Sequence, residues 1–239
     1  MAWQYRHMAW RRVGSRLPQL FIGLVIYGLS GALLVRSGLG LDPWDVLHQG
    51  ISEHTGLAIG TVVIIVGALV LLGWIPLKQW PGIGTLSNVV LIGVSMNVSL
   101  ELLPHVSALP WRITDMVAGV VLCGLATGMY IGANLGPGPR DGLMTGLARR
   151  TGRSIRLTRT ALEVTVLVSG WLLGGTVGVG TVVFAVSIGP LAQFFLPIFD
   201  RDERAQRRYD RLPSSNPRSA SSARSGMALS IQPPWSTPQ

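Results

Sequence analysis

Gly38-Leu39-Gly40-Leu41-Asp42-Pro43-Trp44-Asp45-Val46-Leu47 has a counterpart later in the chain, Asn134-Leu135-Gly136-Pro137-Gly138-Pro139-Arg140-Asp141-Gly142-Leu143. The second stretch is the first, altered but in register, with Asp141 lying 96 positions after Asp45. Held at that offset, the sequence keeps matching itself without a gap. Gly23 and Gly28 fall on Gly119 and Gly124, and Gly50, Thr55, Gly56 and Ile59 fall on Gly146, Thr151, Gly152 and Ile155. Further on, Gly82-Ile83-Gly84-Thr85 falls on Gly178-Val179-Gly180-Thr181, and Gly93 on Gly189. Coincident leucines say little in an apolar chain. Coincident Gly, Pro, Asp and Thr say much, because these residues punctuate the backbone for specific reasons. Two units follow, 16–97 and 112–193.

Working outward, the apolar runs around these motifs are long. Only 13% of the residues are charged, against roughly 25% in a soluble domain, so little of the surface can face water. Uncharged or nearly uncharged runs cover 17–35, 59–77, 84–100, 116–133, 160–173 and 177–199. A bilayer crossing needs about 20 residues. The fifth run is short unless it starts near Leu157, and then it includes Arg159 and Glu163; the sixth contains Pro190 and Pro197. The first run follows several arginines, as a leader peptide would. Its pattern recurs internally at 114–132, where cleavage has no meaning, so it reads as a retained helix.

Three spans per unit is an odd number, and a direct repeat of an odd number of spans reverses its orientation in the membrane. The expected fold is therefore all-α: a polytopic membrane protein of six transmembrane helices, built as two three-helix repeats of inverted topology. A basic segment, 1–16, precedes repeat 1 at 17–102. A linker, 103–113, leads to repeat 2 at 114–199, and a Ser-, Pro- and Arg-rich tail, 200–239, is expected to be disordered. Charge supports the same topology. With the N-terminus in the cytoplasm, Arg6, Arg11, Arg12, Arg16, Lys78, the loop from Arg140 to Arg156 and the tail lie inside, and only Arg36 and Arg112 lie outside. This accounts for the net charge of +9 without a nucleic-acid partner. Trp44 and Trp111 are expected at the outer interface, Trp74 and Trp80 at the inner one.

The repeated motif itself reads as a helix start. Asp42 suits the N-cap, Pro43 the first turn, and Asp45 the third helical position, facing the dipole. Gly56 should end this short helix. The copy keeps Pro139 and Asp141 but has Gly138 at the cap and Arg140 where the first unit has Trp44. Two readings stay open for the pair of short helices, 43–55 and 139–151. They either dip into the protein so that their N-termini form a polar site, or lie on the two membrane surfaces, where Asp45 and Asp141 only cap them. Glu163 and Arg159, at i,i+4 spacing in the fifth run, are either a pathway pair in the interior or a structural pair near the inner interface. Asn88, Ser95 and Ser99 share one face of the third run and either bond to neighbouring helices or line a cavity. Gly124, Gly128 and Gly132 read as close packing within the fold. The Gly-x-Gly-Thr motifs read as turns capped by Thr85 and Thr181.

Candidate substrate-binding residues are thus Asp45, Asp141, Arg140, Glu163, Arg159, Asn88 and Trp44. The histidines do not cluster, the lone Cys123 permits no disulfide, and no catalytic or cofactor motif is present, so no enzyme and no cofactor are expected. The expected partners are the lipid bilayer, a small polar or ionic substrate and another copy of the chain. The expected role is a small transporter or channel with its path between the repeats, the alternative being an accessory membrane protein that binds a protein partner.

These motifs, with the Arg159/Glu163 pair and Gly-Gly-Thr-Val-Gly-Val-Gly-Thr at 174–181, resemble the bacterial YczE/YitT group of integral membrane proteins over nearly all of 17–199. The resemblance implies a bacterial plasma membrane and carries over no cofactor or catalytic residue. For function it implies transport or an accessory role in secondary-metabolite production.

Overall fold

Eight helices account for most of residues 2–200, the part of the chain that this computed structural model describes, and no strand occurs among those residues. They are α1 (Ala2–Ser37), α2 (Pro43–Thr55), α3 (Ile59–Trp74), α4 (Ile83–Leu102), α5 (Leu109–Gly132), α6 (Pro139–Thr151), α7 (Ile155–Leu172) and α8 (Val179–Phe199). The basic tail from residue 201 onward, expected to be unstructured, lies outside the described residues, as do the side chains of Arg6, Arg11 and Arg12. α1 begins at Ala2, ahead of the first apolar run, and its membrane-length part is Arg16–Ser37.

The 96-residue offset survives in the backbone. α2 falls on α6 end to end, and α3 and α4 start where α7 and α8 start. Asp42 caps α2 as expected, accepting hydrogen bonds from the backbone N–H groups of Trp44 and Asp45, and Gly56 closes it in the left-handed region at φ 70°. In the copy Gly152 does the same at φ 64°. The loops before the short helices match too: Gly38 and Asn134 have φ 59° and 53°, and Gly40 and Gly136 have φ 120° and 128°. At Gly40 and Gly136 only glycine fits, because the left-handed backbone there also presses on the Gly-x-Gly-Thr turn of the other unit.

That contact is reciprocal. Gly84 N–H donates to the Leu135 carbonyl at 2.9 Å, and its counterpart Gly180 N–H donates to the Leu39 carbonyl at 2.7 Å. Thr85 and Thr181 accept from the N–H of Gly82 and Gly178, the capping expected from the motif. Each turn therefore starts its own helix while holding the loop of the opposite unit.

α1 and α5 pack on each other most extensively and form the centre. α4 lies on α1 and α8 on α5. Without a strong hydrophobic drive between helices in lipid, such packing depends on small residues that let backbones approach. Gly28 meets the Ile92–Met96 turn of α4, and Gly124, Gly128 and Gly132 meet Leu191, Phe195 and Phe199 of α8. The glycine stripe of α5 is thus internal packing, as its spacing suggests. Ser95 turns toward α1, donating to the Val25 carbonyl at 2.8 Å. Asn97 reaches α3, where it accepts from Gly60 N–H at 2.8 Å and donates to Thr61. The short helices cross over: α2 lies against α7, and α6 against α3.

Among the described residues, four helical segments are long and apolar enough to cross a membrane: Arg16–Ser37, Ile83–Leu102, Leu109–Gly132 and Val179–Phe199. α2 and α3 together make a fifth if they are taken as one span, broken by a 114° bend. The remaining two expected runs differ from the rest for physical reasons. α3 has only 16 residues, about 24 Å at 1.5 Å per residue, and α7 carries Arg156, Arg159 and Glu163. Pro190 and Pro197 do not break α8.

Candidate functional site

The N-termini of α2 and α6, one from each unit, meet in the interior. Asp42, Trp44 and Asp45 at the start of α2 are all buried. Against them stands Arg140 of α6, its guanidinium 3.7 Å from Asp42 Oδ1 and 3.7 Å from Asp45 Oδ1. Its Cζ lies 5.0 Å from the centre of the Trp44 ring, within cation–π range. The residue that replaces tryptophan in the copy thus stacks on that tryptophan. Asp45 Oδ1 also lies 2.9 Å from His48 Nδ1. Asp141 accepts a 2.6 Å hydrogen bond from the Tyr130 hydroxyl. Two carboxylates, Asp42 and Asp45, therefore flank the Arg140 guanidinium, and Asp141, its neighbour in the chain, is held by Tyr130.

Of the two readings of the short helices, this arrangement is the buried one, at least for their first turns: surface helices would expose Asp45 and Trp44. Trp44 is accordingly not an interfacial anchor. Nor is Trp74, which is buried and donates from Nε1 to the Pro139 carbonyl at 3.0 Å, with its ring against Gly142. Trp80 and Trp111 are exposed, as expected of interfacial residues. The anchor reading fails for the first two because each sits beside a short helix that folds inward.

A cavity of about 200 Å³ adjoins this cluster. Asp42, Trp44, Asn88, Arg140 and Asp141 line it, and so do Arg159 and Glu163 of α7, which bond to each other at 2.8 Å. All seven candidate residues but Asp45 therefore face one cavity, and Asp45 stands behind Arg140. A second cavity, about 20 Å³, also touches Trp44 and Arg140 and lies between α3 and α4. Its lining includes Trp44, Val63, Gly67 and Asn88. These are the counterparts, 96 residues earlier, of Arg140, Arg159, Glu163 and Phe184 around the large one. A wider groove of about 470 Å³ follows α6 and α7 near Leu147, Thr151, Leu157 and Thr165, away from the cluster.

The donors at the large cavity are underused. Among the described residues, Trp44 Nε1 is buried without a hydrogen-bond partner. α6 starts at Gly138, which has no side chain to cap its first N–H groups. Helix starts of this kind favour acceptor groups, although Asp141 in the first turn partly offsets the dipole.

Comparison with known proteins agrees with these motifs. Residues 14–197 match DUF6198, a family of unknown function. A Haemophilus influenzae "Uncharacterized protein" is 42% identical over 192 residues, 80% of this chain and 88% of its own. The "Uncharacterized membrane protein YczE" of Bacillus subtilis is 39% identical over 180 residues, 74% of this chain and 83% of its own. The chain belongs to the YczE-type DUF6198 family. A second Bacillus subtilis protein, "Uncharacterized protein YyaS", is 27% identical over 184 residues, covering 75% of this chain and 92% of its own. No solved structure matches. With its long apolar helices, this YczE-type chain is a membrane protein.

Two pairings in this YczE-type fold escaped the sequence reading. His48 is fully buried against Asp45. The signal was available, since 45 and 48 share a helix face at i,i+3. Arg36 forms a two-bond ion pair with Asp115 at 2.6 and 2.7 Å, between the ends of α1 and α5. No local spacing signals that pair, because the two residues belong to different units.

Proposed function

We propose that this chain is a small transporter or channel of a bacterial plasma membrane, whose path runs between two three-helix repeats of inverted topology. The observation that carries the reading is the meeting of the α2 and α6 N-termini at a charged cluster beside a 200 Å³ cavity. Ionisable groups inside a membrane protein are expensive and mark pathways. Helix starts converging from two repeats on one site are a transporter device. The matching loops, the reciprocal turn contacts and the crossed packing of α2 on α7 and α6 on α3 support a two-fold relation between the halves. On this reading α2–α3, bent by 114°, and its counterpart α6–α7 each count as one interrupted span with its short limb folded inward. The positive-inside distribution then puts both termini in the cytoplasm.

Protein in liposomes is expected to move at least one class of a charge-graded solute panel, amphiphiles included, and Arg140→Gln is expected to stop it. If correctly folded protein moves nothing, transport fails and the accessory role is left. Single cysteines at positions 54 and 150 in intact cells test orientation: labelling from outside should reach 54 and not 150, and the reverse result ends the topology.

A further inference from the structure

The two halves differ at one place. α3 and α4 close tightly on each other, whereas α7 and α8 scarcely touch. The gap leads into the large cavity, lined by Arg159 and Glu163 on one side and by Ile188, Gly189 and Ala192 on the other. A methyl group added at Gly189 would meet no atom within 4 Å. This opening lies midway along α8, and the flanking surface is apolar: Val164 and Val168 on α7, Val182 and Val186 on α8, are all exposed. Access is from the side, through a surface suited to lipid.

Inside, the unmet groups are donors. Among the described residues Arg140 has its 3.7 Å ion pairs and its stacking on Trp44 but no hydrogen bond, Trp44 Nε1 has no acceptor, and Asn88 has no hydrogen-bond partner. Asp42, Asp45 and Asp141 already hold hydrogen bonds, and the charged groups that line the cavity are two guanidinium groups, Arg140 and Arg159, against three carboxyl groups, Asp42, Asp141 and Glu163. A purely anionic ligand would add to the negative excess. A purely cationic one would leave the donors empty. Resting on the transport reading above, we propose that the cavity takes the head group of a zwitterionic amphiphile, admitted between α7 and α8 with its tail left in the bilayer. A phosphodiester bearing a quaternary ammonium has the required chemistry: phosphate oxygens for Arg140, Trp44 and Asn88, and a cation for the carboxylates. The Arg159–Glu163 pair stands in the gap with both charges partly exposed, 52% and 32%, and offers a partner to each end of such a head as it passes.

Native mass spectrometry of the purified chain in maltoside detergent tests this with three probes at equal concentration. Lysophosphatidylcholine has head and tail, glycerophosphocholine the head alone, and lysophosphatidic acid the tail with an anionic head. One lysophosphatidylcholine per chain is expected, at tenfold or greater occupancy over either control. Arg140→Gln should lower it at least tenfold. Gly189→Phe, which fills the gap from a position with free space, should do the same while the protein keeps its wild-type melting temperature. Ala192→Phe, on the same wall, serves if that variant folds poorly. Equal binding of the tailless probe, or undiminished lysophosphatidylcholine in both gap variants, overturns the inference. Tailless binding that Arg140→Gln abolishes would leave transport of a water-soluble solute standing. A bound lysophosphatidylcholine that liposome-embedded protein never moves between leaflets would support the site and remove transport.

Discussion

The crevice between α3 and α4 and the crevice between α7 and α8 occupy matching places in the two units, yet one holds about 20 Å³ and the other about 200 Å³. In the first, Gly60 and Gly93 bring the two backbones into contact, Val89 packs on Gly67, and Asn97 ties α4 to α3 through Gly60 N–H and Thr61. In the second, Arg156 stands for Gly60, Leu157 for Thr61, Glu163 for Gly67 and Gln193 for Asn97. Gly189 still matches Gly93 but has nothing to touch. A glycine permits close approach; only a small partner on the facing helix completes it. A handful of substitutions on α7 and α8 thus separates a sealed half from an open one within a shared backbone plan.

The largest effect is expected where the two crevices meet. Arg140 lies within ion-pair distance of both Asp42 and Asp45, and a buried ion pair that loses one partner typically costs about 3–5 kcal/mol. Arg140→Leu should therefore lower the melting temperature and folded yield more than any other single change named here, and Asp45→Asn combined with it should recover part of the loss. A wild-type melting temperature for Arg140→Leu would show that solvent, not Arg140, compensates the carboxylates. Next comes the sealed contact itself. A side chain on Gly60 would collide with the Gly93 carbonyl, which cannot yield without moving α4. Overpacking of this kind costs roughly 1–3 kcal/mol or more. Gly60→Leu should be destabilising by that amount, while Gly189→Leu in the open crevice should be neutral. Equal losses, read by thermal unfolding in detergent, would mean that α7 and α8 also close in solution.

Much of this plan is legible in the residues, and the boundary of legibility is physical. Caps and turns are local, so Asp42, Pro43, Gly56, Thr85 and their counterparts mark helix ends correctly. The offset itself identifies Asp45, Asp141 and Arg140 as equivalent helix-start residues. Which helix faces which is not local. The stacking of Arg140 on Trp44, the anchoring of Trp74 on Pro139 and the Arg36–Asp115 pair all join different units, and no spacing rule reaches across 65 to 96 residues. Position near span ends predicts Trp44 and Trp74 at the membrane interfaces, and the inward folding of the short helices buries both instead. The open crevice is hardest to see in advance, since it follows from a missing contact between α7 and α8.

A smaller effect separates the two amide positions. Asn97 makes two hydrogen bonds across the sealed crevice, each contributing on the order of 1 kcal/mol net. Asn97→Ala should lose roughly 1–2 kcal/mol, and Gln193→Ala, its counterpart beside the open crevice, clearly less. A melting-temperature series with both singles and the double variant checks this, and a larger loss at Gln193 would reverse the assignment of which half is sealed.

The smallest stability effect is expected at Arg159 and Glu163, where the functional effect should be large. The two charges lie at i,i+4 on α7 and bond at 2.8 Å, but neither is enclosed: 52% and 32% of the side chains are exposed at the gap. Enclosure would have made each single change as damaging as the loss of Arg140. Exposed pairs contribute only about 0–1 kcal/mol, and helical i,i+4 pairs about 0.3–0.5. Glu163→Gln and Arg159→Gln should each fold like the parent, with melting shifts too small to rank. The pair nevertheless lines the gap leading to Arg140 and Trp44, so anything entering that way passes both charges. Removing them together, as Arg159→Leu with Glu163→Leu, should leave a stable protein with an apolar gap that no longer moves its substrate in liposomes. A double variant that moves substrate at the parent rate would place the path elsewhere, and a double variant that fails to fold would mean that the crevice closes around the pair.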